Sequence, residues 1–191
     1  MKISIIVPVY NGEKTIMRCL NSIYNQGLHN GVEVIVVNDC STDRTRSILE
    51  NTPPVWRNLT VVNLTENIRQ GGARNIGVET ATGDYIQYLD ADDTLVEGSL
   101  SQLLDAISIN QHLDLLFFDF LTLEENTYRQ ISGINYSRNT TTILSGEEYL
   151  KTQQVPWTPW MALYKRSFLL QNNIKLSLIH ISEPTRLRCI S

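Results

Sequence analysis

The sequence of 191 residues contains little cysteine and histidine and no basic cluster. Its three cysteines are far apart and odd in number, which excludes a disulfide framework and a Cys-x-x-Cys metal site. Lysine and arginine total 16 against 20 acidic residues and are scattered, which argues against a nucleic-acid partner. No apolar run approaches the roughly 20 residues of a membrane span, and the N-terminal run is too short for a signal peptide. We therefore expect a cytoplasmic protein that does not bind nucleic acid.

Strand and helix patterns alternate through the first two thirds of the chain. Nearly continuous apolar, β-branched segments predict buried strands at residues 2–9, 32–37, 59–64, 85–89 and 115–121. Helical spacing of apolar residues predicts helices between them, at residues 13–25, 43–50, 72–82 and 100–109. Capping boxes are predicted at Ser99 with Gln102 and at Ser145 with Glu148. The alternation predicts a doubly wound, mostly parallel α/β sheet.

The pattern loosens after residue 121, and this change suggests three parts. Residues 1–121 form the first domain, and residues 122–175 begin a second lobe that covers one end of the sheet. Residues 176–191 have no clean period and resemble the translated read-through of a sequencing adapter. We expect this last part to be a non-native tail that replaces a longer C-terminus.

Three polar clusters follow the first, second and fourth predicted strands. Their sequences are VPVYNGE, NDCSTD and DADD. In an open α/β sheet, ligands bind beyond the carboxyl ends of the strands. A turn-capping role would explain any one cluster, but three at successive strand ends favour a ligand site.

Asp90, Asp92 and Asp93 form a D-x-D-D pattern that suits a hard divalent cation. Mg²⁺ and Mn²⁺ take one or two carboxylates and complete their coordination with waters and substrate phosphates. Calcium fits less well, because it needs more ligands spread over a longer loop. The sequence therefore predicts carboxylates that hold a metal, and a metal that holds phosphate.

The ordered motifs resemble those of family 2 of the inverting glycosyltransferases, which have the GT-A fold. The segments that carry the resemblance are SIIVPVYNGEKTIMRCLNSIYNQ, VNDCSTDRT, NIRQGGARNIG, GDYIQYLDADD and, more weakly, PWMALYKRSFL. The resemblance covers residues 2–119 almost without gaps. It implies a nucleoside-diphospho-sugar donor, most often a UDP-sugar, together with Mn²⁺ or Mg²⁺.

The family's nucleotide-binding residues can be carried over to matching positions. Those implied to line the nucleotide pocket are Pro8, Val9, Tyr10 and Glu13. The resemblance implies that Asp39 accepts a hydrogen bond from uracil and that Arg74 adds positive charge near the base or diphosphate. It also implies that Asp90 faces the ribose or the metal, with Asp92 as the principal metal ligand and Asp93 beside it.

Two positions depart from the family pattern. Many relatives have glycine where this chain has Arg69. The family's general base is an acidic residue beyond the position of Lys175, where this chain instead reads LSLIHISEPTR. No catalytic residue is therefore assigned, and the role is not carried over to Glu183.

The resemblance implies transfer of a sugar to an acceptor hydroxyl with inversion, in the synthesis of a surface polysaccharide or glycolipid. The acceptor would be a saccharide or lipid-linked, and the enzyme would work in the cytoplasm, including at the inner face of the membrane. Two alternatives stay open: a nucleotidyltransferase, and a nucleotide-binding fragment without turnover. The second alternative includes an inactive chain that lacks its general base.

Overall fold

The computed structural model describes residues 1–27, 31–53, 56–123, 130–132, 143–152 and 158–177. The strands are β1 (Ile3–Val9), β2 (Val32–Asn38), β3 (Leu59–Asn63), β4 (Tyr85–Tyr88), β5 (Leu115–Phe117), β6 (Thr122–Leu123), β7 (Gln130–Ser132) and β8 (Ala162–Lys165). The α-helices are α1 (Ile16–Tyr24), α2 (Thr45–Glu50), α3 (Arg69–Thr80), α4 (Ser99–Ile109), α5 (Gly146–Thr152) and α6 (Arg166–Gln171). Within these described residues, no helix has the length and apolar character needed to cross a membrane.

Six strands form one sheet in the order β3-β2-β1-β4-β8-β5. The four strands β3, β2, β1 and β4 are parallel, and β8 runs antiparallel to both of its neighbours. Strands β6 and β7 form a separate antiparallel pair. The predicted mostly parallel α/β sheet is therefore confirmed.

Helices cover both faces of the sheet. On one face, Ile5 and Val7 of β1 pack in a cluster with Leu20 of α1 and with Leu100 of α4. On the other face, Ile6 of β1 packs with residues of α3 and α6. Because successive side chains of a strand point to opposite faces, a strand that is apolar along nearly all of its length, such as β1, needs helices on both sides.

Helix α3 approaches β1 closely at Gly77. A Cβ atom placed on Gly77 would lie 2.3 Å from Cγ2 of Ile6, a fully buried and stiff β-branched side chain. Glycine at this position lets the helix backbone lie against the centre of the sheet. The close approach fixes the distance of α3 from the sheet, and this distance positions the side chains that α3 extends to the carboxyl edge.

Several helix boundaries differ from the sequence expectation. Helix α4 has Gly98, with a φ of 76°, as its N-cap residue, so Ser99 is already the first helical residue and the predicted capping box with Gln102 does not form. The second predicted capping box is confirmed, since Ser145 Oγ and the backbone amide of Glu148 are 3.2 Å apart. Helix α3 begins three residues earlier than expected, at Arg69.

Strand β8 was not predicted, because its four residues do not form a distinctive apolar run. It comes from the segment assigned to the second lobe, yet it lies inside the main sheet between β4 and β5. The proposed domain boundary at residue 121 stays a prediction. Of the proposed tail, only Leu176 and Ser177 are among the described residues.

Glu33 organises the amino edge of the sheet, opposite the carboxyl ends of β1 and β2. Its carboxylate accepts hydrogen bonds from Lys2 Nζ at 2.6 Å, from Ser4 Oγ at 2.5 Å and from the Thr82 amide at 2.7 Å. Burial raises the pKa of Glu33, but these hydrogen bonds outweigh it and lower the pKa from 4.5 to about 2. The network ties β1, β2 and the turn before β4 together.

A Glu33→Gln variant should lose stability at pH 7 and approach the wild type in acid. A depressed folded-state pKa contributes stability above the unfolded value of 4.5, and this contribution disappears as pH falls through about 2. The shift corresponds to about 3 kcal/mol at pH 7. Urea unfolding at pH 7 and pH 3 should show the gap at least halved at pH 3.

Glu50→Gln is the matched control for this measurement. Glu50 pairs with Arg46 across one turn of α2, and both side chains are more than half exposed. Such a pair contributes only about 0.5 kcal/mol. A Glu33→Gln cost that is independent of pH, or no larger than that of Glu50→Gln, would contradict the assignment.

Candidate functional site

The three polar clusters converge at one edge of the sheet. Strands β2, β1 and β4 are neighbours and parallel, so their carboxyl ends lie side by side. Val9 pairs with Asn38 at the end of the ladder, and the Asp39 amide donates to the Val9 carbonyl at 2.8 Å. The convergence expected from the sequence is thus present in the fold.

Asn11 holds the loop after β1 against the loop after β2. Its side-chain Oδ1 accepts from the backbone amide of Thr42 at 2.8 Å, and the backbone amide of Asn11 donates to Ser41 Oγ at 3.0 Å. Its φ is 53°, in the left-handed region that asparagine tolerates better than most residues. Cys40, on the facing loop, also has a positive φ of 59°. Backbone strain of this kind persists only where surrounding contacts maintain it.

Glu13 is a second link between these loops. Its carboxylate accepts from the backbone amide of Arg44 at 3.1 Å, and its amide donates to the Asp43 carboxylate at 3.0 Å. Of the other residues predicted to line the nucleotide pocket, Pro8 and Val9 are buried in β1, whereas Tyr10 is 52% exposed. Tyr10 therefore presents an accessible aromatic ring at the mouth of the site.

Asp39 is almost fully buried and lies between β1 and the start of α3. Its Oδ1 accepts from the backbone amide of Ile68 at 2.8 Å, and its carbonyl accepts from Asn67 Nδ2 at 3.2 Å. Arg69, which follows Ile68, has a φ of 63°. A left-handed conformation is what glycine adopts most readily, so the expected family glycine would fit the backbone at this position without strain.

Asp90, at the carboxyl end of β4, is held by two side chains of α3. Its Oδ1 accepts from Arg74 at 2.5 Å and from Gln70 Nε2 at 2.9 Å. The Arg74 side chain is only 4% exposed, compared with 17% for Asp90. The Arg74 guanidinium also lies 5.7 Å from the ring centre of Tyr88. Arg74 thus supplies a buried positive charge behind the first carboxylate of the motif.

The carboxylates of Asp90, Asp92 and Asp93 each offer an oxygen, and these oxygens lie within 4.8 Å of one another. The backbone holds them together, since the Asp93 amide donates to the Asp90 carbonyl and Arg18 donates to the Asp92 carbonyl. Burial and the nearby charges of Asp93, Asp90 and Asp92 raise the pKa of the Cys19 thiol, which stays neutral beneath the loop. An oxygen-only set at this spacing fits Mg²⁺ or Mn²⁺.

Sequence reasoning did not find Asn11, Arg18 or Gln70. Asn11 and Arg18 act through bonds to backbone groups of distant loops, and no local pattern marks such contacts. Gln70 carried a usable signal, because it lies four residues before Arg74 and therefore on the same face of a helix. The later helix start assigned to α3 concealed this relation.

The parallel sheet, its antiparallel β8 and the acidic loop after β4 define the GT-A fold, and comparisons with known proteins agree. The family model "Glycosyl transferase family 2" matches residues 4–171, so the chain belongs to this family. The chain is 32% identical over 183 residues to the uncharacterized glycosyltransferase YibD of Escherichia coli, covering 91% of this chain and 51% of YibD. The crystal structure of Staphylococcus aureus TarS 1–349 in complex with UDP superposes with a TM-score of 0.75 at 29% identity. That match covers 96% of this chain and 52% of the TarS chain.

A second curated relative is the poly(ribitol-phosphate) beta-glucosyltransferase of Bacillus spizizenii. It is 38% identical over 113 residues, which cover 58% of this chain and 18% of the relative. TarS 1–349 has also been solved in complex with UDP-GlcNAc, and that structure superposes with a TM-score of 0.71 at 29% identity, covering 93% of this chain and 49% of that one. The chain spans about half the length of YibD and of TarS 1–349.

Asp90→Asn and Arg74→Met should each destabilise the fold, and the double variant should cost far less than their sum. Removing one partner of a buried ion pair leaves the other charge uncompensated, at a cost of about 3 kcal/mol or more. Urea unfolding of the three variants measures the coupling between the two side chains. Strictly additive losses would show that the pair is incidental.

Proposed function

We propose that this chain binds a nucleoside-diphospho-sugar, with UDP as the nucleotide, across the carboxyl edge of β2, β1 and β4. The observation that carries the proposal is the pairing of a buried acceptor, Asp39, with an acidic cluster at neighbouring strand ends. The Asp39 carboxylate suits the nucleobase, and the acidic cluster suits a diphosphate held by a metal ion. The structures of TarS in complex with UDP and with UDP-GlcNAc support the same class of donor.

Asp39 is assigned to the uracil base. The Ile68 amide occupies Oδ1, and the remaining capacity of the carboxylate is available to accept from the N3–H of uracil. Pro8, Val9, Tyr10 and Glu13 form the adjoining wall and rim of the pocket. Arg74 donates to Asp90, so we place its positive charge behind that carboxylate, on the diphosphate side of the site.

Asp92 is assigned as the principal ligand of a divalent cation, Mn²⁺ or Mg²⁺, with Asp90 and Asp93 beside it. The bound cation would supply positive charge next to the departing diphosphate. Arg74 and Gln70 hold Asp90 in place, and Arg18 fixes the backbone of the loop. The protein contributes a preorganised set of oxygens, so that few groups need to rearrange during the reaction.

The reaction we assign is direct displacement at the anomeric carbon. The acceptor hydroxyl oxygen forms the new glycosidic bond as the bond to the diphosphate breaks, with its electron pair leaving on UDP. A general base takes the hydroxyl proton, and the configuration inverts. The base is expected beyond Lys175 and has no assigned residue. Residues 178–191, including Glu183, lie outside the described residues.

The acceptor is assigned to the class of saccharides and lipid-linked saccharides, as in synthesis of a surface polysaccharide or glycolipid. The Bacillus relative, named as a poly(ribitol-phosphate) beta-glucosyltransferase, supports a polymer as the acceptor. We place the protein in the cytoplasm, including the inner face of the membrane, and residues 122–175 on the acceptor side. A nucleotide-binding chain without turnover would share the donor site and differ only in lacking sugar transfer.

Asp92→Asn should abolish the part of UDP binding that depends on divalent metal. Calorimetric titration of the wild type with UDP should give an affinity at least about ten-fold higher with Mn²⁺ than with a chelator, because charge-assisted contacts to the diphosphate are lost. In Asp92→Asn, the two affinities should converge. The control is Asp105→Asn, which makes the same charge change at an exposed position on α4. Equal wild-type affinities with and without metal would refute the metal role.

Asp39→Asn should change the preference among bases without unfolding the protein. Asparagine keeps an oxygen for the Ile68 amide but can present an N–H where uracil offers a donor. Cytosine has an acceptor at that position, so the ratio of UDP to CDP affinity should fall about ten-fold or more. A stability loss with an unchanged UDP to CDP ratio would instead make Asp39 a purely structural anchor of α3.

A further inference from the structure

Asn75 makes a two-point contact with a backbone group 101 residues away. Its Nδ2 donates to the Leu176 carbonyl at 2.9 Å, and its Oδ1 accepts from the Leu176 amide at 2.9 Å. The side-chain amide thereby imitates a neighbouring strand and satisfies both backbone groups of one residue. This contact is called the Asn75 clamp below.

Other contacts bring the chain to the clamp. Helix α6 ends at Gln171, and Asn173 turns the chain with a φ of 49°. The Ile174 amide then donates to the Leu169 carbonyl at 2.9 Å, and Leu176 packs against the buried cluster under α3 and α6. The Lys175–Glu79 pair beside the clamp is more than half exposed on both sides and contributes little.

The clamp lies on the helix that organises the donor site. Arg74, the residue before Asn75, holds Asp90, and Gln70 lies one turn earlier on the same helix. Helix α3 is itself fixed against β1 by the close approach at Gly77. The chain that leaves α6 is therefore attached to an element whose position relative to the acidic loop is already set.

We propose that Asn75 is a positioning residue that anchors the end of the acceptor-side segment, where it continues into Leu176, to the donor-site helix α3. Both hydrogen bonds are to the backbone of residue 176, so the contact does not depend on which side chain stands there. The terms donor side and acceptor side rest on the proposed function, but the Asn75 clamp itself can be tested without any ligand. Asn75 acts through Leu176 and does not contact the donor. Its role is to fix where the chain following α6 begins relative to Asp90.

The test is hydrogen exchange of the Leu176 amide in the 191-residue chain, expressed as protection relative to the unstructured rate. The wild type should be protected at pH 7 and at pH 4. Asn75→Ala should lose about ten-fold or more of this protection at both pH values, because both hydrogen bonds are removed. Amides of α3 itself should keep their protection, which shows that the fold survives.

Asn75→Asp supplies a readout that a loss of packing would not produce. At pH 7 its carboxylate can still accept from the Leu176 amide, but it faces the Leu176 carbonyl with no hydrogen to donate. Repulsion between these two oxygens should lower the protection below that of the wild type. Protonation of the carboxyl in acid restores a donor, and protection at Leu176 should recover at pH 4 and below. Glu79→Gln, which removes only the exposed Lys175 pair, should leave protection unchanged at every pH.

Three results would overturn the proposal. An unprotected Leu176 amide in the wild type would show that the clamp does not form, and equal protection in Asn75→Ala would show that packing alone holds the segment. UDP affinity in the presence of Mn²⁺ should stay within about two-fold of wild type in Asn75→Ala, as for a change remote from the ligand. A ten-fold loss relative to wild type would assign Asn75 to the donor site instead. If the wild type fails to bind UDP, the proposed function fails, and the exchange experiment still decides whether the clamp exists.

Discussion

Three carboxylates with oxygens within 4.8 Å of one another are the constraint around which the carboxyl edge is built. Like charges at this spacing repel one another. The fold keeps the group together by placing Arg74, with Gln70, against Asp90 and by fixing the loop through backbone carbonyls. A charge arrangement that costs stability and has its own buried counter-charge is typical of a functional site.

The rest of the structure can be understood as support for that group. Gly77 sets the distance of α3 from the sheet, which sets the position of Arg74 and therefore of Asp90. Asn11 and Glu13 join the loops after β1 and β2, and the Asp39 amide donates to the Val9 carbonyl, so that the walls of the proposed nucleotide pocket form one unit. At the opposite edge of the sheet, Glu33 joins the strands through hydrogen bonds from Lys2 and Ser4 to its carboxylate.

The fold class and the convergence of the three clusters could be predicted from sequence because both follow from local patterns. Continuous apolar runs indicate strands buried on both faces. In a parallel sheet, the carboxyl ends of all strands lie at the same edge, and this brings the three clusters together. The contacts between loops could not be predicted in this way. Arg18 reaches Asp92 across 74 residues and Asn75 reaches Leu176 across 101, and neither pair shares a periodic pattern. Strand β8 was missed for a related reason. Its four residues form a strand because they pair with β4 and β5, which the local sequence does not show.

The most direct test of the donor-site account is a crystal structure with UDP and Mn²⁺, with the anomalous scattering of manganese used to locate the ion. The account predicts a manganese peak at the carboxylates of Asp90, Asp92 and Asp93, next to the diphosphate, with the uracil ring hydrogen-bonded to Asp39. Manganese bound elsewhere, or uracil placed away from Asp39 while the fold is intact, would contradict it.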